Sequence, residues 1–271
     1  MPAELLEAVE DPVDMADPYE RKFWRNRMQD EHNKPNSYFA QSITPKGMDM
    51  MEDYVKKVRE IIGYEIPLAI DHLGKISVQS AIQEGRMLEK YNILWMEDTI
   101  PWRYPDQLAE VAHNCAVAQC TGEDIYTAEA FRPLLDRGAI SILHPDMLTL
   151  GGVMETRAAG RLADEYGLPI VMHMAASPVA CMATASVGVT MRNFLGMEFH
   201  SFDVPWWNDM VEQGPKAVMD HGFVEPLDLP GFGIEKLNDE VLREHAFSDY
   251  PEPWIPTDKW DLLECHDGLW A

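Results

Sequence analysis

The chain has 271 residues, of which 46% are hydrophobic and 25% charged, a balance typical of a soluble globular protein that can bury a sizeable core. Acidic residues outnumber basic ones by 46 to 22, and the formal net charge is −24. This charge repels nucleic acids and anionic membranes, and no run of 18 apolar residues is present, so we exclude nucleic-acid-binding and membrane-spanning proteins.

The N-terminal segment, residues 1–47, is polar and rich in Pro and Asp, and we predict a loop, an extended segment or a poorly ordered one. Its acidic start lacks the basic-then-apolar layout of a signal peptide, which predicts a cytoplasmic protein. Cysteine usage agrees with this location. The sequence has no CxxC pair and no spaced Cys/His quartet, so we expect neither a structural zinc site nor a disulfide framework. The cysteines are Cys115, Cys120, Cys181 and Cys265.

A helix is predicted over roughly residues 48–62, and six short apolar runs follow it. Runs of this kind indicate strands that are buried on both faces. They cover residues 66–70, 93–96, 117–122, 140–143, 169–172 and 194–197. Each run leads into an acidic residue or a histidine, namely Asp71, Glu97, Glu123, Asp146, His173 and Glu198.

These six residues are separated by 26, 26, 23, 27 and 25 positions, about the length of one strand, one helix and two loops. Helical patterns fill the gaps, for example over residues 78–91 and over 155–166, which stops at Gly167. Equal steps favour a (β/α)₈-type TIM barrel over an open sheet. We predict an α/β protein with six recognisable βα units of such a barrel over residues 48–240, followed by a C-terminal extension over 241–271.

In a barrel, the carboxyl ends of successive strands face one mouth, where active sites of this fold lie. Asp71, Glu97 and Glu123 would therefore converge there as a set of hard oxygen ligands. Such a set favours Mg²⁺, for which Mn²⁺ could substitute, and the absence of histidine and cysteine disfavours zinc.

Asp146 and His173 follow on the next two strands. A histidine beside a carboxylate gains a fixed tautomer and a stabilised protonated form, which is how a general base is built. Glu198 has three open interpretations: it hydrogen-bonds a substrate carboxylate, it acts as an acid if its pKa is raised, or it forms a barrel-closing ion pair.

The motifs WMED, TGED, HPD followed by GGV, VMH and PGFGIE, in this order and spacing, resemble the barrel domain of the enolase superfamily, mandelate racemase/muconate lactonizing subgroup. The resemblance covers roughly residues 48–240. It implies that Asp71, Glu97 and Glu123 ligate Mg²⁺, and that Asp146 and His173 form an Asp–His dyad. It also implies that Glu198 lies against the substrate carboxylate or its enolate.

The resemblance further implies removal of the proton α to a carboxylate, with an enolate intermediate stabilised by the metal. The stretch HSFDVPWW resembles the acid-sugar dehydratases, whose product is a 2-keto-3-deoxy acid. His200 and Asp203 would suit a polyhydroxylated small-molecule substrate, whereas His72 should point to the other face of its strand and pack there. The alternatives are a racemase, epimerase or cycloisomerase of the same superfamily, and a non-catalytic metal-binding remnant.

The family pattern also includes a capping domain and two further barrel strands before the strand that ends at Asp71. The sequence before Ile66 shows neither, and no Lys-x-Lys acid/base motif occurs there. An incomplete barrel exposes two strand edges, so we expect a homo-oligomer or association with a missing N-terminal part.

The acidic excess also suggests adaptation to high salt, because salt screens the repulsion among surface carboxylates. We expect the midpoint of thermal unfolding to rise as NaCl is increased over the molar range. An unfolding midpoint that stays constant or falls over this series would contradict the hypothesis.

Overall fold

The computed structural model describes residues 42–72, 76–212, 218–246 and 254–255. The strands are β1 (Ile70–Asp71), β2 (Met96–Glu97), β3 (Gln119–Thr121), β4 (Ile142–Leu143), β5 (Ile170–Met172), β6 (Phe194–Met197), β7 (Val211–Glu212) and β8 (Lys236–Leu237). The helices are α1 (Pro45–Ile62), α2 (Val78–Leu88), α3 (Pro105–Asn114), α4 (Arg132–Asp136), α5 (Met147–Leu150), α6 (Val153–Glu165), α7 (Pro178–Gly188) and α8 (Asp239–Glu244).

The first six strands form one parallel sheet in the order β1-β2-β3-β4-β5-β6, and helices alternate with them along the chain. Neighbouring strands are thus also neighbours in sequence, which is the connectivity of a (β/α) barrel. The predicted fold class, a partial TIM barrel of six βα units, is confirmed. Strands β7 and β8 form a separate antiparallel pair.

The predicted helices are present, with small differences at their ends. Helix α1 begins at Pro45 instead of about Met48, because Thr44 caps it by accepting a hydrogen bond from the backbone N–H of Gly47 at 3.1 Å. Gly167, with φ 71°, follows the end of α6 as predicted. The proposed segment 1–47 lies outside the described residues up to residue 41, as does most of 241–271, so this division of the chain stays a prediction.

Side chains alternate between the two faces of the sheet, and this alternation separates two apolar clusters. Leu143, Ile170 and Met172 belong to the large cluster between the sheet and the helices. Ile142 and Val171 belong to a small cluster on the opposite, concave side, with Cys120 and the partly buried Trp95. The residues two places further along the concave face therefore reach the mouth of the barrel.

Helix α1 is fastened to the barrel by the buried side chain of Arg59. Its guanidinium donates hydrogen bonds to the backbone carbonyls of Tyr91 at 2.9 Å, Asn92 at 2.8 Å, Gly63 at 3.1 Å and Ile66 at 2.8 Å. One side chain thus satisfies carbonyls in the segment that leads into β1 and in the segment that leads into β2.

We expect Arg59→Met to lower the free energy of unfolding by about 3 kcal/mol, because buried carbonyls that lose a charged donor are left without a partner. Urea unfolding followed by circular dichroism measures this loss, with Glu60→Ala, on the exposed side of α1, as the matched control. A loss below about 1 kcal/mol, the level of an ordinary surface substitution, would show that Arg59 does not fasten the helix.

Within the described residues, β1 and β6 each pair with one neighbour only and so form the two edges of the six-stranded sheet. Large apolar side chains lie exposed near both edges, including Ile66 at 54% and Leu195 at 66% exposure. None of the described helices is long and apolar enough to span a bilayer.

Candidate active site

All six residues predicted at strand ends lie at the same end of the sheet. Asp71 and Glu97 are the last residues of β1 and β2, and His173 and Glu198 come directly after β5 and β6. The remaining two, Glu123 and Asp146, follow β3 and β4 after one and two residues. Because the strands are parallel, their carboxyl ends share one mouth, and the contacts below show that these side chains meet there.

Asp146 and His173 form a hydrogen-bonded pair. Nδ1 of His173 lies 2.8 Å from Oδ2 of Asp146, and the two residues also form a parallel β-bridge. The other carboxylate oxygen of Asp146 accepts hydrogen bonds from the backbone N–H groups of Leu148 at 2.6 Å and Thr149 at 3.3 Å, at the start of α5. Asp146 is therefore fixed on both sides, and it orients the imidazole so that Nε2 faces the mouth.

Nε2 of His173 faces two further carboxylates, at 3.3 Å from Glu123 and 3.6 Å from Glu198. Burial of the imidazole lowers its pKa, but the hydrogen bond to Asp146 and the two carboxylates outweigh burial and raise the pKa of His173 to about 9. The site thus strongly stabilises a proton on Nε2, which is the property required of a base that removes a weakly acidic proton.

Glu198 lies among three histidines. Its Oε1 is 2.6 Å from Nε2 of His200, and its Oε2 is 3.4 Å from Nε2 of His144 and 3.6 Å from His173. Although burial raises its pKa, the hydrogen bonds from His144 and His200 and the charge of His173 lower the pKa of Glu198 to about 2. Glu198 is therefore an anion at neutral pH. An acid role would need a raised pKa, and the pKa of Glu198 is lowered instead.

A carboxylate cluster lies beside this histidine group. Asp71, Glu97 and Asp98 each place a carboxylate oxygen within 4.8 Å of the others, close enough for one metal ion. The oxygens of Glu97 are oriented by Nε1 of Trp95 at 3.0 Å and Nε2 of His144 at 3.1 Å. The third member is Asp98, whereas the sequence predicts Glu123, whose carboxylate is turned towards His173 in this structure.

The electrostatics of the cluster fit a divalent cation. Burial raises the pKa of Glu123 to about 7; His173 opposes this shift, while the charges of Asp71 and Glu97 contribute to it. Burial and nearby carboxylates also raise the pKa of Asp98 well above its ordinary value, and its Oδ2 has no hydrogen-bond partner among the described residues. Such crowding of buried carboxylates is what a bound cation relieves.

Softer donors lie behind the carboxylates, because Cys120 and His144 can approach one ion together with Glu97. The sequence argument against zinc, which rested on the absence of these residue types, is therefore weaker than expected. Burial, however, raises the pKa of the Cys120 thiol well above its ordinary value, which disfavours the thiolate that zinc requires.

His72 points away from the mouth, as predicted. Its Nδ1 is 3.0 Å from the backbone carbonyl of Glu97, and its Nε2 is 2.9 Å from Oε1 of the buried Glu84 on α2. The side chains of His72 and Glu84 are 4% and 0% exposed. His72 is therefore buried against Glu84 and helps to position the end of β2.

Three residues of the site were not assigned a role from the sequence: Asp98, His144 and, beyond a general affinity for polar substrates, His200. His144 precedes Asp146 by two residues, and His200 follows Glu198 by two, so each shares the concave face of its neighbour. The two-residue period at these strand ends is the signal that identifies them. The two-residue period does not identify Asp98, because its backbone leaves the strand conformation with φ 45°. Its carboxylate accepts a hydrogen bond from Thr121.

Proteins with similar sequences include dehydratases of sugar acids. The chain is 33% identical over 187 residues to D-xylonate dehydratase of Haloferax volcanii, which covers 69% of this chain and 45% of that protein. It is 26% identical over 209 residues to arabinonate dehydratase of Saccharolobus solfataricus, covering 77% of this chain and 53% of that protein. The chain thus spans about half the length of the curated relatives that it matches.

A solved structure of a mandelate racemase/muconate lactonizing enzyme-like protein from Rubrobacter xylanophilus superposes with a TM-score of 0.73 at 27% identity, over 89% of this chain and 64% of that one. The profile of the family described as enolase C-terminal domain-like matches residues 26–240, further towards the N-terminus than the motifs in the sequence suggest. The strand order and the placement of the six strand-end residues agree with this match. The chain belongs to the enolase superfamily, in the mandelate racemase/muconate lactonizing enzyme group.

Proposed function

We propose that this chain removes the proton α to the carboxylate of a small-molecule acid in a Mg²⁺-dependent reaction, most specifically the dehydration of an acid sugar to a 2-keto-3-deoxy acid. The observation that carries the proposal is the hydrogen-bonded Asp146–His173 pair, which lies at one mouth with a crowded carboxylate cluster. A strong base and a cation site are the two groups that this chemistry needs.

Asp71, Glu97 and Glu123 would hold the cation, with Asp98 close to them. Their donors are all hard oxygens, which favours Mg²⁺ and allows Mn²⁺. When bound, the cation supplies a Lewis acid that stabilises the negative charge developing on the substrate carboxylate as it becomes an enolate.

His173 is the proposed base. Asp146 accepts the Nδ1 proton, so the neutral tautomer presents its lone pair on Nε2 to the substrate. Proton transfer to Nε2 creates an imidazolium that Asp146 and Glu198 stabilise, and this stabilisation grows as the transition state is approached. Glu123 lies 3.3 Å from Nε2 of His173, and if its charge were offset by a bound cation it would hold a proton on the resting imidazole less strongly.

The similarity to proteins named D-xylonate and arabinonate dehydratase supports an acid sugar as the substrate class. Because both matches span only about half of those proteins, the fate of the enolate is part of the proposal. Reprotonation would make the chain a racemase or epimerase, and loss of the β-hydroxyl makes it a dehydratase.

A panel of acid sugars incubated with Mg²⁺ tests the proposed function, with 2-keto acid formation as the readout. We expect at least one C5 or C6 aldonate to be converted, the conversion to stop with EDTA, and excess Mg²⁺ to restore it. If no aldonate reacts while Mg²⁺ still raises the melting temperature, the chain is a non-catalytic metal-binding remnant.

In the part of the chain that the structure describes, β1 and β6 each lack a second partner strand, and exposed apolar residues lie near both, which supports association as the working state. We expect light scattering to give a mass at least twice the 30.9 kDa of one chain, because edge pairing or packing would cover Ile66 and Leu195. A Lys substitution at Leu195 should shift the equilibrium towards the monomer, and the same change at exposed Leu148 serves as the control. A monomeric wild-type chain with full turnover would contradict the expectation.

A further inference from the structure

His200 is the most exposed of the three histidines around Glu198, and neither the proton abstraction nor the cation site uses it. Its side chain is 51% exposed, against 15% for His173, and its Nε2 is 2.6 Å from Oε1 of Glu198. The rings of His200 and His173 have centroids 5.9 Å apart and meet edge to face at 74°. Two imidazoles thus flank one carboxylate, one of them positioned by Asp146 and the other open to the mouth.

The loop that carries His200 is anchored on its other side. The ring of Phe199 packs edge to face on Trp207 at 4.8 Å, and Nε1 of the buried Trp207 donates to the backbone carbonyl of Ala176 at 3.2 Å. Because Phe199 is held against this anchor, its successor is directed the opposite way, towards Glu198. The orientation of His200 into the site is therefore built into the packing of the loop.

Dehydration needs an acid as well as a base, because hydroxide is a poor leaving group unless it is protonated as the C–O bond breaks. Within the described residues, Glu198 is held as an anion by the imidazoles around it and does not supply this proton. On the basis of the function proposed above, we propose that His200 is the general acid that protonates the departing β-hydroxyl, across Glu198 from the base His173.

Nε2 of His173 takes the C2 proton, and the C2–H electron pair forms the C1=C2 bond of the enolate. That pair then forms the C2=C3 bond as the C3–O bond breaks. The leaving oxygen takes the proton from Nε2 of His200 and departs as water, and the remaining enol tautomerises to the 2-keto-3-deoxy acid. His173 then holds one proton more and His200 one fewer, and the carboxylate of Glu198 lies between the two nitrogens.

The test compares wild type with His200→Gln on the aldonate that the wild type dehydrates and on its 3-deoxy-3-fluoro analogue. Glutamine can still donate a hydrogen bond to Glu198 but cannot deliver a proton, and fluoride leaves without one. We expect 2-keto acid formation from the aldonate to fall about 10²-fold or more, with fluoride release from the analogue close to wild type. His113→Gln, an exposed substitution on α3, is the matched control.

Equal losses on both substrates would assign His200 a merely structural role, and no loss on either would remove it from the reaction; both results overturn the inference. Exchange of the C2 proton with D₂O separates this failure from that of the proposed function. A wild type that neither exchanges nor eliminates the C2 proton of any aldonate overturns both, whereas loss of this proton with wild type together with an unaffected His200→Gln variant overturns only the role of His200.

Discussion

His173→Asn is expected to lower turnover by about 10³-fold or more, since positioned general bases contribute about 10²–10⁴-fold and this one is stabilised by several neighbours. Asparagine can preserve a hydrogen bond to Asp146 but has no nitrogen that accepts a proton. Initial rates of 2-keto acid formation, with Mg²⁺ and the acid sugar at saturation, give the comparison.

His113→Asn is the control for this change, because it removes an exposed histidine from α3 and should leave the rate unaltered. Equal thermal stabilisation by Mg²⁺ in wild type and His173→Asn would show that the metal site is intact. If the variant keeps more than about a tenth of the wild-type rate, the loss is smaller than a general base contributes, and another group carries out the proton transfer.

Glu97→Gln is expected to remove most of the stabilisation that Mg²⁺ gives to the folded chain. A ligand at one hundred times its dissociation constant stabilises a protein by about 2.7 kcal/mol, and the loss of a carboxylate from the cluster weakens binding. The substituted amide also places a donor where Trp95 and His144 already donate, so the stability without metal will change as well. The informative quantity is therefore the difference between unfolding with Mg²⁺ and with EDTA.

Glu110→Gln on the exposed side of α3 is the matched control and should keep the full difference. Repetition of the titration with Zn²⁺ tests whether the softer donors Cys120 and His144 take part. If Glu97→Gln retains the complete Mg²⁺-dependent increment, Glu97 is not a ligand and the cation site lies elsewhere.

The strand ends were predictable because each strand is short and apolar on both faces and stops at a polar residue. The regular spacing of Asp71, Glu97 and Glu123 then places them at one mouth through the geometry of parallel strands. The contact between Asp146 and His173 follows from their places after neighbouring strands. These predictions needed only the order of the strands and no knowledge of side-chain conformation.

The contacts within the mouth were less predictable, because they depend on side-chain rotation and charge. The sequence cannot show that Glu123 turns to His173, nor that three histidines surround Glu198 and lower its pKa. The left-handed backbone at Asp98, which is unusual for a residue other than glycine, is also set by the surrounding structure. The places of His144 and His200 were partly predictable, since the two-residue period of a strand identifies both residues once the inward face of the strand is known.

Abstraction of the α-proton is tested by ¹H NMR of the C2 proton of acid sugars in D₂O, because the signal is lost whatever the enolate then becomes. We predict that wild type with Mg²⁺ causes loss of the C2–H signal of at least one aldonate, and that EDTA or His173→Asn prevents it. If Mg²⁺ binds and stabilises the chain but every C2–H signal persists, the site does not abstract the α-proton, which contradicts the proposed function.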